Sequence, residues 1–145
     1  MTHTRSAALL VITLGTMATS LHAQRPACDR TGTTSFELGR TGGNLRSDGT
    51  RIGADGRITK QVNGAWVAVG TPASRDAVAG LARLAWSNGF TKLPTAPTKP
   101  TRNPDAARDY IDVHSACGSK HVEYANGEGA PPFRELLALL QLMAR

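Results

Sequence analysis

Thr50-Arg51-Ile52-Gly53-Ala54-Asp55-Gly56-Arg57-Ile58-Thr59-Lys60-Gln61-Val62-Asn63-Gly64-Ala65-Trp66-Val67-Ala68-Val69 carries two hairpin signals back to back. Asp-Gly and Asn-Gly dipeptides suit two-residue type I′ turns, because both central residues of such a turn need positive φ. Around them apolar and polar residues alternate with the period of two that a half-buried strand requires. The stretch therefore reads as three strands, 50–53, 57–62 and 65–69, folded into an antiparallel meander.

Upstream, Thr33-Thr34-Ser35-Phe36-Glu37-Leu38 alternates in the same way, with Phe36 and Leu38 on one face. Arg40-Thr41-Gly42-Gly43-Asn44 interrupts it as a bend, since adjacent glycines signal positive φ or a close backbone approach. Downstream, Val78, Leu81, Leu84 and Ala85 recur at helical spacing. Ser74 suits the N-cap of that helix, Asp76 its positive first turn, and Gly89 its left-handed end. Gly80, inside the helix, reads as a point of close packing on the sheet. Residues 94–104 contain four prolines and read as an extended surface loop within one domain. Tyr110–Ser115 and Lys120–Tyr124 alternate as a second hairpin around Ala116-Cys117-Gly118-Ser119, with Ile111, Val113, Val122 and Tyr124 inward. Pro131-Pro132 opens a last helix whose apolar face holds Phe133, Leu136, Leu137, Leu139, Leu140 and Met143. The expected class is α+β: an antiparallel β-meander, a helix, a β-hairpin and a C-terminal helix packed on one antiparallel sheet.

The N-terminus has the grammar of a secretory signal peptide. His3 and Arg5 precede the apolar run Ala7–Leu14, and small residues lead to a cleavage site after Ala23. That run is shorter than the roughly 20 residues a membrane span needs. The reading is thus residues 1–23 as signal peptide, 24–32 as an N-terminal arm and 33–145 as a single domain, secreted or periplasmic and with no membrane attachment after cleavage. Of the 145 residues, 122 remain after cleavage, enough for one modest core. In an oxidising compartment the two cysteines, Cys28 and Cys117, are expected to form one intramolecular disulfide. Free thiols and an intermolecular bridge are the alternatives. Closing a loop of about 90 residues stabilises by on the order of 4 kcal/mol in the chain-entropy view.

Lys and Arg number 17 against 11 Asp and Glu, and loss of Arg5 with the leader lowers the net charge from +6 to +5. The cations are scattered singly, with no dense patch and no interleaved stacking aromatics, so nucleic acid is a poor partner. His114, Cys117 and His121 fall within eight residues and invite a zinc reading, with Asp112 or Glu123 as a fourth ligand. Cys117 is, however, the partner available to Cys28, and histidines flanking a turn are common. A Cys117–His nucleophilic pair needs a free thiol of low pKa. No G-x-S-x-G turn, H-E-x-x-H helix or phosphate-binding glycine loop is present. Asp109 and Asp112 read as solvated strand positions, and Trp66 and Trp86 as packing residues. A non-enzymatic protein follows, with no catalytic residue, metal ligand or cofactor assigned.

Placed in order, four pieces are informative together: Phe36-Glu37-Leu38-Gly39-Arg40-Thr41-Gly42-Gly43, a helix running into Gly89-Phe90-Thr91-Lys92-Leu93-Pro94, the Tyr110–Tyr124 hairpin, and Pro131-Pro132-Phe133-Arg134-Glu135-Leu136-Leu137. This pattern, over roughly residues 34–142, resembles the emfourin (protealysin inhibitor) family of small α+β metalloprotease inhibitors. The resemblance implies an exported inhibitor of a thermolysin-like zinc metalloprotease, acting as a monomer that inserts a rigid loop into the protease cleft. It implies Arg40, Thr41, Gly42, Gly43 and Asn44 as the protease-binding residues, with the Ser115–Ser119 turn second. The chain departs from the family in Asn44-Leu45-Arg46-Ser47-Asp48-Gly49, in its longer meander, and in its leader and cysteine pair. The alternative is a non-inhibitory periplasmic binding or envelope-structural module of the same fold.

Overall fold

Six strands form one antiparallel sheet: β1 (Ser35–Thr41), β2 (Asp48–Ile52), β3 (Ile58–Val62), β4 (Ala65–Ala68), β5 (Arg108–Ser115) and β6 (Gly118–Ala125). Their spatial order is β4-β3-β2-β1-β5-β6, so β1 lies between the meander and the second hairpin. Helix α1 (Arg75–Ser87) follows the meander, and α2 (Pro131–Met143) closes the chain. The computed structural model describes residues 32–42, 48–95, 106–125 and 127–145. The leader, most of the arm with Cys28, Gly43, Asn44 and residues 96–105 lie outside the described residues.

The α+β architecture is the expected one, and its turns differ from each other for a local reason. Asn63 (φ 51°) and Gly64 (φ 84°) both adopt positive φ, and Val62 pairs directly with Ala65 across the two-residue loop. That is the type I′ turn expected there. At Asp55-Gly56 only the glycine is left-handed (φ 87°), and the loop spans residues 53–57 between the paired Ile52 and Ile58. Gly56 N–H donates to the Gly53 carbonyl and Gly53 N–H to that of Arg57, while Asp55 Oδ1 accepts from Arg57 N–H. The longer loop lets Asp55 avoid positive φ, which costs a non-glycine residue less.

Both helices cover one face of the sheet. Phe36, Leu38, Ile52, Ile58, Ile111, Val113 and Val122 meet Val78, Leu81, Ala82 and Ala85 of α1, Phe90, and Phe133, Leu136 and Leu140 of α2 in one core. Ser74 Oγ accepts from Ala77 N–H at 3.1 Å and caps α1. The helix ends at Asn88, after which Gly89 takes φ 90° and turns the chain into a short 3₁₀ turn, Phe90–Lys92, that buries Phe90 completely. Two side-chain expectations are corrected. A β-carbon at Gly80 would touch nothing nearer than Arg83 Nη2 at 3.9 Å, so Gly80 does not mark close packing on the sheet. Leu139 lies on the exposed side of α2 rather than on its apolar face.

Candidate functional site

The bend expected to bind a protease begins later than its sequence suggests. Arg40 and Thr41 belong to β1, where Arg40 pairs with both Asp48 and Asp109 and Thr41 with Arg108. The ladder holds Arg40 extended from both sides and Thr41 from the β5 side. Arg40 Nε also donates to Asp109 Oδ1 at 3.0 Å, on the helix-bearing face. Asp109 is 9% exposed, so it is a buried ion-pair partner and not a solvated strand position. Beside this pair a hollow of about 230 Å³ opens between β1, β2 and α2, lined by Arg40, Asp48, Thr50, Asp109, Leu137 and Gln141. Gly42 is where the chain leaves the sheet. Its φ is +79°, and a β-carbon there would stand 3.1 Å from the Ala106 carbonyl oxygen. Gly43 and Asn44 lie outside the described residues.

The second candidate, the Ser115–Ser119 turn, sits at the other end of the sheet. Ser35 pairs with His114 while Thr41 pairs with Arg108, so the bend and this turn flank opposite ends of β5, roughly 20 Å apart. They cannot enter one cleft together. Ser115 Oγ accepts from Cys117 N–H at 3.2 Å and donates to the Gly118 carbonyl at 3.0 Å, which ties the turn to itself. Ala116 N–H donates to Thr33 Oγ1 at 3.2 Å, so the residue that follows the N-terminal arm is anchored on this turn. Among the described residues there is no free cysteine.

The face of the sheet away from the helices holds an array that the sequence did not reveal. Glu37 accepts from Arg51 Nε at 2.7 Å and from the Tyr110 hydroxyl at 3.0 Å. The Arg51 guanidinium lies 3.8 Å from the centre of the Trp66 ring. On the other side Tyr110 stacks on His121, whose Nδ1 is 2.7 Å from Asp112 Oδ1, and Arg108 binds Glu123 at 2.6 Å. Two glycines make room for the rings: a β-carbon at Gly39 would meet Tyr110, and one at Gly49 would meet Trp66. Glycine inside a strand was the available signal, since it marks a close approach. A hollow of about 410 Å³ near Arg51, Arg57 and His114 opens on this face. Its two guanidiniums are each answered by a carboxylate, Glu37 and Asp55, so it offers an anion little net field.

Burial, then the hydrogen bond to Glu37 and the charge of Glu37, hold the Tyr110 hydroxyl well above the ordinary tyrosine range. A raised folded-state pKa favours the protonated form in the native protein, so its contribution is complete below about pH 10 and is lost as pH rises beyond. Tyr110→Phe is expected to cost about 1.5–3 kcal/mol at neutral pH, the range for a hydrogen bond to a charged acceptor. Urea unfolding from neutral to strongly alkaline pH should show the two proteins converging above about pH 10.

The residues considered for chemistry are dispersed. Asp109 and Asp112, three apart in one strand, point to opposite faces and cannot work as a carboxylate pair. His114 Nδ1 is 3.0 Å from Ser119 Oγ, whereas His121 lies between Asp112 and Glu123. Among the described residues no group of three His, Cys, Asp or Glu side chains is arranged to hold a metal ion. No helix among them is long and apolar enough to cross a membrane. No protein-family model and no curated protein sequence matches this chain.

Proposed function

We propose that this protein is an exported, emfourin-like inhibitor of a secreted or periplasmic thermolysin-like zinc metalloprotease, and that it acts by placing the segment after β1 in the protease cleft. The observation that carries the reading is the base of that segment. Arg40 is laddered on both sides and Thr41 is held by β5, so the chain reaches Gly42 from a fixed position in the sheet, and the Arg40–Asp48 pair tethers both ends of the segment that follows. A segment whose two ends are already tethered to the sheet loses less conformational entropy on binding than an untethered one. The resemblance at Phe36–Gly43, and a positive surplus suited to encounter with an acidic protease surface, support the same reading. A Cys28–Cys117 disulfide belongs to this proposal. Thr33 is anchored on the turn that holds Cys117, and the five residues back to position 28 reach up to about 17 Å.

One observation favours the second reading, a binding or envelope-structural module without inhibitory activity. Arg40 is turned back to Asp109 instead of being held for a partner. The two readings separate when the purified protein is titrated against several thermolysin-like proteases and peptide cleavage is followed. The inhibitor reading expects activity to fall at micromolar protein. It also expects Gly43→Asp and Asn44→Ala to relieve the inhibition at least about tenfold with unchanged circular dichroism. Undiminished cleavage throughout leaves the second reading. Gly42 is a poor probe, because any side chain there is strained.

A further inference from the structure

The two edges of the sheet are not alike. On β6 the edge is charged, with Lys120, His121 and Glu123, and it is engaged: Glu123 N–H donates to the Thr95 carbonyl. On β4 the edge is Ala65-Trp66-Val67-Ala68, continued by Val69, with no charge, no proline and no bulge. Natural edge strands are commonly guarded by one of those devices.

The ladder fixes which backbone groups this edge offers. Val69 N–H donates to the Ile58 carbonyl, so Val69 faces β3. Alternation along an antiparallel pair then turns Val67 and Ala65 towards β3 as well, and turns the N–H and C=O of Trp66 and Ala68 outward. Two outward residues flanking a central valine form a self-complementary pattern. In an antiparallel pairing of two such edges, Trp66 exchanges hydrogen bonds with Ala68 of the second copy and Ala68 with its Trp66. Val67 meets its own counterpart on the two-fold axis. Every cross-strand side-chain pair in that register is apolar. Val67 is already 46% exposed, and Val62 beside it on the same face is 50% exposed.

We propose that β4 is a homodimer seam, joining two copies of this chain edge to edge into one twelve-stranded sheet. The self-complementary register argues for a second copy, and because the edge strand carries no charge of its own, no like-charge pair falls across the seam. Closure argues for a dimer over a fibre, because an isologous contact uses the same edge on both copies, and the β6 edge is engaged within its own chain. A monomer is expected from the sequence, in which the open edge is invisible. A four-residue strand buries far less than the roughly 800 Å² per partner of a stable interface, so the dimer is weak, with a dissociation constant of about 10 μM to 1 mM.

Sedimentation velocity of the purified protein, from about ten micromolar to one millimolar, should show a reversible monomer–dimer equilibrium in that range. Val67→Lys puts like charges opposite each other on the axis and should weaken the dimer at least tenfold, as a rough figure. Ala68→Pro removes an outward donor without touching a β3 hydrogen bond and should do the same. Both variants should keep the parent's circular dichroism. Amide exchange at Trp66 and Ala68 should slow as concentration rises, whereas a buried edge would protect them at every concentration. A strict monomer at one millimolar overturns the proposal. So does a dimer that survives both substitutions, assembly beyond two copies, or protection of these amides that is independent of concentration.

Discussion

Replacing Gly56 with alanine is expected to destabilise the protein by about 3 kcal/mol. Two costs combine. The backbone there has φ 87°, where an L-side chain is strained by roughly 1–2 kcal/mol. The added β-carbon would also run into the Ala73 carbonyl oxygen, a backbone atom that cannot swing aside. Gly56 is the latch between meander and helix: its carbonyl accepts from Ala73 N–H at 2.9 Å, one residue before the Ser74 cap of α1. Gly64→Ala is the control. Its φ of 84° is similar, but nothing lies within 4 Å of a β-carbon, so only the strain of about 1 kcal/mol remains. Urea midpoints at unchanged m-value measure both, and equal losses at the two glycines would remove the latch argument.

Breaking the proposed Cys28–Cys117 link is expected to cost on the order of 4 kcal/mol, a large share of the roughly 5–15 kcal/mol a domain of this size holds. The loop it closes includes most of the sheet and all of α1, so reduction mainly frees the unfolded chain. The native turn is also braced by Ser115 and by Thr33, so little local rearrangement should accompany it. Cys117→Ser and the reduced parent should show the same lowered midpoint. Mass spectrometry, without reductant, of protein produced in an oxidising compartment should find the chain two hydrogens lighter than its reduced form. Two titratable thiols in that material would refute the link.

The site was less legible than the fold. Arg40 and Thr41 read as part of a bend because Gly42 and Gly43 follow them, yet β2 and β5 hold Arg40 in β1 and β5 holds Thr41 there. Asp109 and Asp112 read alike as polar strand residues, but register sends one into an ion pair with Arg40 and the other to His121. Trp66 read as packing on the sheet, which it does, but its partner Arg51 is defined only once β2 and β3 are paired.

Alone, the sequence determined the kind and order of the elements, because each rests on neighbours within a few residues. Alternation makes the strands, Asn63-Gly64 makes a tight turn, Ser74 starts a helix and Gly89 ends it. Tertiary structure decided that β1 lies at the centre, between β2 and β5. It also joined Glu37 to Tyr110 across 73 residues and, among the described residues, left β4 as an edge strand. Pairing between distant strands depends on which apolar faces bury one core together, and no local pattern encodes that choice.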